Sequence, residues 1–491
     1  MAFESLGDYV AYADELGQLQ RISGAHWDLE IGALTELLSG KRALLFDAIP
    51  GYPRQFRVFT NSVTTWPLLR SILGIPDVIQ RKVDAARYLK DKLKIFQPVP
   101  YQEVASGPIM ENVQRGEAID VGIFPAPRWH ELDGGRFIGT GHSVITTDPE
   151  EGWVNAGTYR VMVHDKALLT CFMSPGRHGL IHCMKYWERG QNAPVAFVCG
   201  YEPSLFLASS NMVRTGVSEY EFAGWLRGEP IKVVKAPVTG LPVPASAEIV
   251  IEGEIPPPWV EQRFDGPFGE WRGYYDFDPP KPRPNVPVVH VRSVLYRGDC
   301  ILLGAPPLKP PLDGEYNLLK SAFLWYDLDH NLGIPDITGV WIAEVGGGFL
   351  MIVVALKQRY GGHAMHAALA VSASRSGAYH NRYTIVVDED IDPSDMGEVL
   401  WAVATRCDPE KSTVIIPQTW FNPGDNLQGP EKRAAGDFTH SRMILNACRP
   451  FHWKEKFPPV NRISPELKAK MEEKWKEVLL WQPKEASRWP A

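Results

Sequence analysis

Residues 160–171 read Arg-Val-Met-Val-His-Asp-Lys-Ala-Leu-Leu-Thr-Cys. Two short apolar runs, 160–163 and 167–170, flank an Asp165-Lys166 pair, and this pattern predicts an antiparallel hairpin. Runs of the same kind recur at 143–147, 195–198, 231–234, 248–251 and 286–296. Helical patterns interrupt them near 178–189 and 218–227. Proline clusters at 256–258 and 279–287 break any helix and suit strand edges or connectors. Residues 113–310 therefore predict an antiparallel barrel with inserted helices, not a doubly wound sheet.

On either side the pattern alternates. In residues 1–112, Ser5 can cap a helix over 5–16 that carries Leu6, Val10 and Ala13 on one face and ends at Gly17. A strand at 19–22, a helix near 29–39, a strand at 43–46 and helices across 65–95 complete a mixed α/β unit. In residues 311–491, strands are predicted at 349–356, 383–387 and 414–416, with a helix over 363–374. Asp392-Pro393 opens a further helix with Val399, Leu400 and Val403 on its apolar side. A last helix starts at Ser464-Pro465, and Leu467, Met471, Trp475 and Val478 share one face. That face serves either internal packing or a neighbouring subunit. The fold class is thus mixed α and β, in three parts.

Of the 491 residues, 44% are apolar and 22% charged, the balance of a globular chain with a large core. Net charge is −7 and no basic stripe is present, which argues against a nucleic-acid partner. The N-terminus is acidic and fits neither a secretory signal nor a transit peptide. No apolar run is long enough for a membrane span. The six cysteines lie far apart without a CxxC, so a thiolate metal site or disulfide framework is not expected and a reducing cytoplasm fits. Nucleotide P-loop, GxGxxG, HExxH and GxSxG motifs are all absent.

Chemistry concentrates in two blocks: 153–160, Trp-Val-Asn-Ala-Gly-Thr-Tyr-Arg, and 265–270, Asp-Gly-Pro-Phe-Gly-Glu. Arg177-His178, Ser209-Ser210 and Ser218-Glu219 lie between them. Asn155, His178 and Glu219 offer an amide oxygen, an imidazole and a carboxylate, a set suited to Mn²⁺ or Mg²⁺. The same residues also read as a turn Asn, an ordinary His and a helix-start acid. Around Asp265 and Glu270 the glycines and proline force a bend that can bring both carboxylates to one cavity. One would then be held charged by a cation such as Arg160, and the other would have its pKa raised towards neutrality. A turn with two solvated acids is the alternative.

These blocks, with 244–248 and 386–392, resemble in order the UbiD-type decarboxylases that use prenylated FMN. The resemblance implies an N-terminal α/β domain, a central flavin-binding split β-barrel and a C-terminal α/β oligomerisation domain with a terminal helix. It implies that Asn155, His178 and Glu219 hold Mn²⁺ (or Mg²⁺) against the cofactor phosphate. Trp153, Ala208, Ser209 and Asn211 would surround K⁺ (or Na⁺). Thr158, Tyr159, Arg160, Arg177, His178, Ser209, Ser210 and Arg382 would contact the cofactor, Arg382 standing where a Lys often meets the phosphate. Arg160, Asp265 and Glu270 would form the catalytic network, with Asp265 in a place that is often Glu and Glu270 as proton donor.

The implied activity is reversible non-oxidative decarboxylation of an aromatic, heteroaromatic or α,β-unsaturated acid. A flavin prenyltransferase would supply the cofactor, and the protein would be a homodimer or larger homo-oligomer. The competing readings are a flavin-independent metal hydrolase and a non-catalytic flavin-binding protein.

Overall fold

The computed structural model describes residues 2–211, 213–276, 280–310, 317–421 and 424–480, and the chain divides into two compact units, 1–448 and 449–491. In the first unit, helix Leu6–Glu15 starts at a reciprocal cap, with Asp8 N–H donating to Ser5 Oγ and Ser5 N–H to the Asp8 carboxylate. It buries Leu6, Tyr9, Val10 and Ala13. A four-stranded sheet follows in the order Leu19–Ser23, Ala43–Asp47, Arg57–Thr60, Ile301–Leu303. Its last strand pairs in parallel with Arg57–Thr60 but comes from the far end of the expected central region.

The predicted hairpin forms between Val161–Asp165 and Leu168–Cys171. It belongs to a ten-stranded sheet whose long path is antiparallel throughout and runs from Phe137–Gly139 to Val154–Gly157, the two ends of the split barrel. Strand Arg283–Tyr296 is the hub and pairs with four neighbours. Its proline-rich start lies beside Gln262–Asp265, where Pro287 faces Gln262. The run at 231–234 is not a barrel strand: Lys232–Lys235 joins Gln102–Glu103 and Pro242–Pro244 in a separate small sheet. Helices His178–Glu188 and Glu219–Arg227 stand close to the predicted positions. An additional helix, Pro203–Ser209, is buried at every position. A short stretch buried all round, with Ser204 and Ser209 among its apolar residues and no charged face, gives no helical period to read.

The third part is a five-stranded sheet in the order Ile337–Ile342, Met351–Leu356, Tyr383–Asp388, Thr439–Ala447, Thr413–Trp420. Helix Met396–Arg406 begins later than the Asp392-Pro393 signal because Asp395 is the cap, accepting from Gly397 and Glu398 N–H. Val399 is buried and Val403 half-buried, but Leu400 turns outward at 56% exposure. The barrel core gathers Phe137, Val144, Phe197, Ile251 and Val289 around Trp129, while a larger cluster joins the remaining helices and sheets. All six cysteines are free, and five are buried. No helix among the described residues is long and apolar enough to cross a membrane.

In the second unit, helices Pro465–Lys474 and Lys476–Leu479 replace the single terminal helix, with the break at Trp475. Leu467, Trp475 and Val478 are exposed, and Met471 is half-buried.

Candidate active site

A cavity of about 340 Å³ opens between the barrel and the third part of the first unit. Of the predicted site residues, Thr158, Tyr159, Arg160, Arg177, Ser210 and Glu270 line it, and Asn211 does as well. Tyr159 organises one wall. Its hydroxyl accepts from Gly179 N–H at 3.2 Å, and the Arg177 guanidinium stands 5.6 Å from its ring centroid. A Cβ on Gly157 would lie 2.4 Å from that hydroxyl, so only glycine leaves room for it.

Beside this wall, Glu219 is buried at the N-terminus of its helix and accepts Ala156 N–H at 2.7 Å. Burial pushes its carboxyl up to about 7. Asn155 is buried on the adjacent strand, with its Nδ2 3.4 Å from Thr146 Oγ1. Burial, with Arg375 and Arg177 nearby, holds His178 down at about 4, so the imidazole is neutral. A buried carboxylate, an amide and a neutral imidazole fit a hard or borderline divalent ion. His178 Nε2 is taken up by Arg375 Nη2 at 3.0 Å and Thr215 Oγ1 at 3.2 Å, so ligation through that atom requires Arg375 to move aside.

The residues predicted for a monovalent ion are less uniformly placed. Ser209 Oγ shares a 2.6 Å hydrogen bond with Ser143, and the Ser209 carbonyl accepts Thr158 N–H. The Ala208 carbonyl accepts Asn211 N–H. Asn211 Oδ1 is buried without a hydrogen-bond partner among the described residues, an oxygen open to a cation. Trp153 instead packs edge-on against His178 and His182, with centroids at 5.1 and 4.8 Å.

The carboxylate network forms as the bend implied. Gly266 adopts φ +83° and turns the chain back, so Asp265 and Glu270 both reach Arg160. Arg160 Nε and Nη2 both lie 2.6 Å from Asp265 Oδ1, and Nη1 donates to Glu270 Oε1 at 3.1 Å. Thr170 Oγ1 donates to Asp265 Oδ2 at 2.9 Å. The shorter Asp265 therefore does reach the cation. Burial raises the Glu270 carboxyl, and the like charge of Asp276 raises it further against the pull of Arg160. Sequence spacing pointed to Asp265 as that like charge; Asp276, outside the 265–270 bend, also acts as one.

Arg382 is turned away. It pairs with Asp425 at 2.6 Å and does not line the cavity. The cation facing inward beside Arg177 is Lys320, which the sequence analysis missed; burial and Arg177 push it down to about 8. Its only signal was a lone Lys in an otherwise apolar helix, Leu318–Tyr326. Among the described residues no three His, Cys, Asp or Glu side chains cluster at ligand spacing.

Comparison with known proteins bears on the family and the fold. Three domains of 3-octaprenyl-4-hydroxybenzoate carboxy-lyase, the defining domains of UbiD, match in order: the N-terminal domain at 10–85, the Rift-related domain at 102–310 and the C-terminal domain at 316–447. The chain is 30% identical over 475 residues to a phenolic acid decarboxylase of Bacillus subtilis (strain 168), covering 92% of this chain and 93% of the relative. It is similar to vanillic acid decarboxylase of Sedimentibacter hydroxybenzoicus in its closed form, with TM-score 0.82, 28% identity and coverage of 98% and 100%. It also resembles an evolved dimeric form of the UbiD-class enzyme HmfF from Pelotomaculum thermopropionicum in complex with prFMN, with TM-score 0.77, 27% identity and coverage of 95% and 98%. With three matched domains in family order and a relative 30% identical over 92% of the chain, the chain belongs to the UbiD family of carboxy-lyases.

Proposed function

We propose that the protein is a prenylated-FMN-dependent decarboxylase of an aromatic, heteroaromatic or α,β-unsaturated carboxylic acid, working reversibly. The observation that carries this reading is Arg160 held between Asp265 and Glu270 at the wall of the cavity. Relatives that are named decarboxylases or that hold prFMN support it.

Prenylated FMN, when bound, supplies the electron sink that loss of CO₂ from an sp² carbon requires and that no side chain offers. Asn155, His178 and Glu219 would hold Mn²⁺ or Mg²⁺ against its phosphate. Thr158, Tyr159, Ser209 and Ser210 would contact it, and Arg177 with Lys320 would add positive charge in the place expected of Arg382. Trp153, Ala208, Ser209 and Asn211 would serve K⁺ or Na⁺.

Burial works against the charge on Arg160, but the Asp265 and Glu270 carboxyls beside it outweigh that, so its guanidinium stays charged and can orient the substrate carboxylate. The rings of Phe172 and Phe268, 4.9 and 5.6 Å from the guanidinium, limit its hydration. Glu270 has its carboxyl raised by burial, so it carries a proton nearer neutral pH than a free Glu and delivers it to the carbon that CO₂ leaves. Because an acid that gives a proton can take it back, the same residue serves carboxylation in reverse.

We place the domains at 1–112, 113–310 and 311–491, in keeping with the three family matches. A homodimer or larger assembly would use the third. Val414, Ile415 and Trp420 are exposed on the edge strand Thr413–Trp420, beside outward-facing Leu400 and Trp401.

The test is the absorption spectrum and CO₂ release of protein co-expressed with a flavin prenyltransferase and offered a panel of acids. A flavin-like band with CO₂ release is expected. A colourless active hydrolase, or a flavin-loaded protein inert towards every acid, would overturn the proposal.

A further inference from the structure

Arg272 differs from the other cations of the cavity. Its side chain is 4% exposed, it lines the cavity, and its Nε has no hydrogen-bond partner among the described residues. The nearest carboxylate oxygen is Asp276 Oδ1 at 3.8 Å, beyond hydrogen-bond distance. Asp276 is engaged elsewhere, because its Oδ2 accepts from Arg283. The guanidinium lies against the backbone of Gly424, where a Cβ would stand 2.5 Å from Nη2. A glycine at that point gives the planar group its place.

Asp276 offsets part of the charge from 3.8 Å, but a buried guanidinium that hydrogen-bonds no anion among the described residues still bears desolvation that is not fully offset. The other cations of the cavity have partners or assignments. Arg160 is held by Asp265 and Glu270, and Arg283 by Asp276. Arg177 and Lys320 influence one another and belong to the proposed phosphate end. Arg272 acts electrostatically on Glu270, which places it near the proposed proton donor. Arg272 is thus a cation of the cavity lining that hydrogen-bonds no carboxylate among the described residues.

We propose that Arg272 binds a second carboxylate of the substrate, one that stays on the product, so that the preferred substrates are planar dicarboxylic acids. A guanidinium presents two parallel N–H donors that match a carboxylate, and a neutral hydroxyl would add nothing to the partial compensation that Asp276 gives. In the reaction, the bond from the ring carbon to one carboxylate breaks, CO₂ departs, and the electron pair left on carbon takes the proton of Glu270. Water restores that proton. The second carboxylate remains on Arg272 throughout and fixes which carboxylate lies at Arg160. The chemical step rests on the decarboxylase reading above; the binding does not.

The experiment compares benzoate with phthalate, isophthalate and terephthalate, which carry the second carboxylate at three spacings. Flavin-loaded protein is assayed for CO₂ release, and binding of each acid is measured by calorimetry. At least one diacid should exceed benzoate in kcat/KM by about 10- to 100-fold, the range for charge-assisted hydrogen bonds. Arg272→Gln should collapse that ratio, and Arg272→Lys should restore part of it. The inference is overturned if wild-type protein handles benzoate as well as every diacid. It is overturned too if Arg272→Gln lowers all acids together, which would assign the arginine to the leaving carboxylate. Loss of flavin from that variant on desalting would assign it to the phosphate instead and likewise refute the proposal. If no acid releases CO₂, the decarboxylase reading fails, and calorimetry still decides: tighter binding of a diacid that depends on Arg272 supports the site, and equal binding of diacid and benzoate removes it.

Discussion

Replacing Asp265 by Asn tests the charge balance around Arg160. Asp265 is fully buried and meets Arg160 Nε and Nη2 at 2.6 Å and Thr170 Oγ1 at 2.9 Å. Removing one partner of a buried ion pair costs about 3–5 kcal/mol. Here Glu270 remains at 3.1 Å and an Asn oxygen can still accept, so we expect a cost just below that range, roughly 2–3 kcal/mol. For a domain of about 200 residues that corresponds to a fall in melting temperature of roughly 5–10 °C.

The pH dependence should move as well. In the native protein Glu270 holds its proton to a raised pH, and turnover falls as pH rises through its pKa. With Asp265 replaced by Asn, Glu270 becomes the carboxylate hydrogen-bonded to Arg160. Its charged form is favoured, and the alkaline limb of kcat shifts to lower pH. The assays are thermal unfolding of the flavin-loaded protein and a pH profile of CO₂ release. A variant that melts within a degree of the native protein and keeps the native limb would refute the coupling of the three residues.

Glu270→Gln keeps the shape but removes the proton, and CO₂ release should fall by ~100- to 10,000-fold with flavin retained; turnover within a few-fold of native would exclude Glu270 as the acid. His178→Ala should lose flavin and metal together on desalting, and full retention of both, read by absorbance and metal analysis, would refute the ligand assignment. Gly157→Ala forces a methyl to within 2.4 Å of the Tyr159 hydroxyl, so the tyrosine must shift and flavin occupancy should drop; unchanged occupancy would show that this wall does not contact cofactor. Light scattering at micromolar concentration should exceed the 55.0 kDa of one chain, and Ile415→Asp should reduce the mass if the exposed edge strand is the contact; a native protein of one-chain mass refutes the assembly.

What could be read from the sequence was local. The 160–171 hairpin and the bend at 265–270 are written in turn chemistry within a few residues, and both form as expected. The helix from Leu6 to Glu15 is equally local, since its cap and apolar stripe lie inside one segment. The residues that escaped are defined by distant partners. Arg382 is drawn off by Asp425, and nothing near Arg382 in sequence signals that carboxylate. Asp276 acts on Glu270 from beyond the 265–270 bend, and nothing in the spacing of that bend signals it. Lys320 and Arg272 matter because folding buries them facing one cavity, which is a property of packing and not of spacing.

The strand Ile301–Leu303 sets a condition on synthesis of the chain. It is the fourth strand of the first sheet, yet it follows the whole barrel in sequence. Until residue 303 leaves the ribosome, Arg57–Thr60 keeps an open edge carrying Val58 and Phe59, a template for pairing with another chain. The first domain is therefore not a free-standing fragment, and a truncation near 112 should aggregate. Pairing across so long an intervening segment is slow to form. The barrel must fold while that edge waits, so the yield of folded protein should rise at lower growth temperature or with added chaperone.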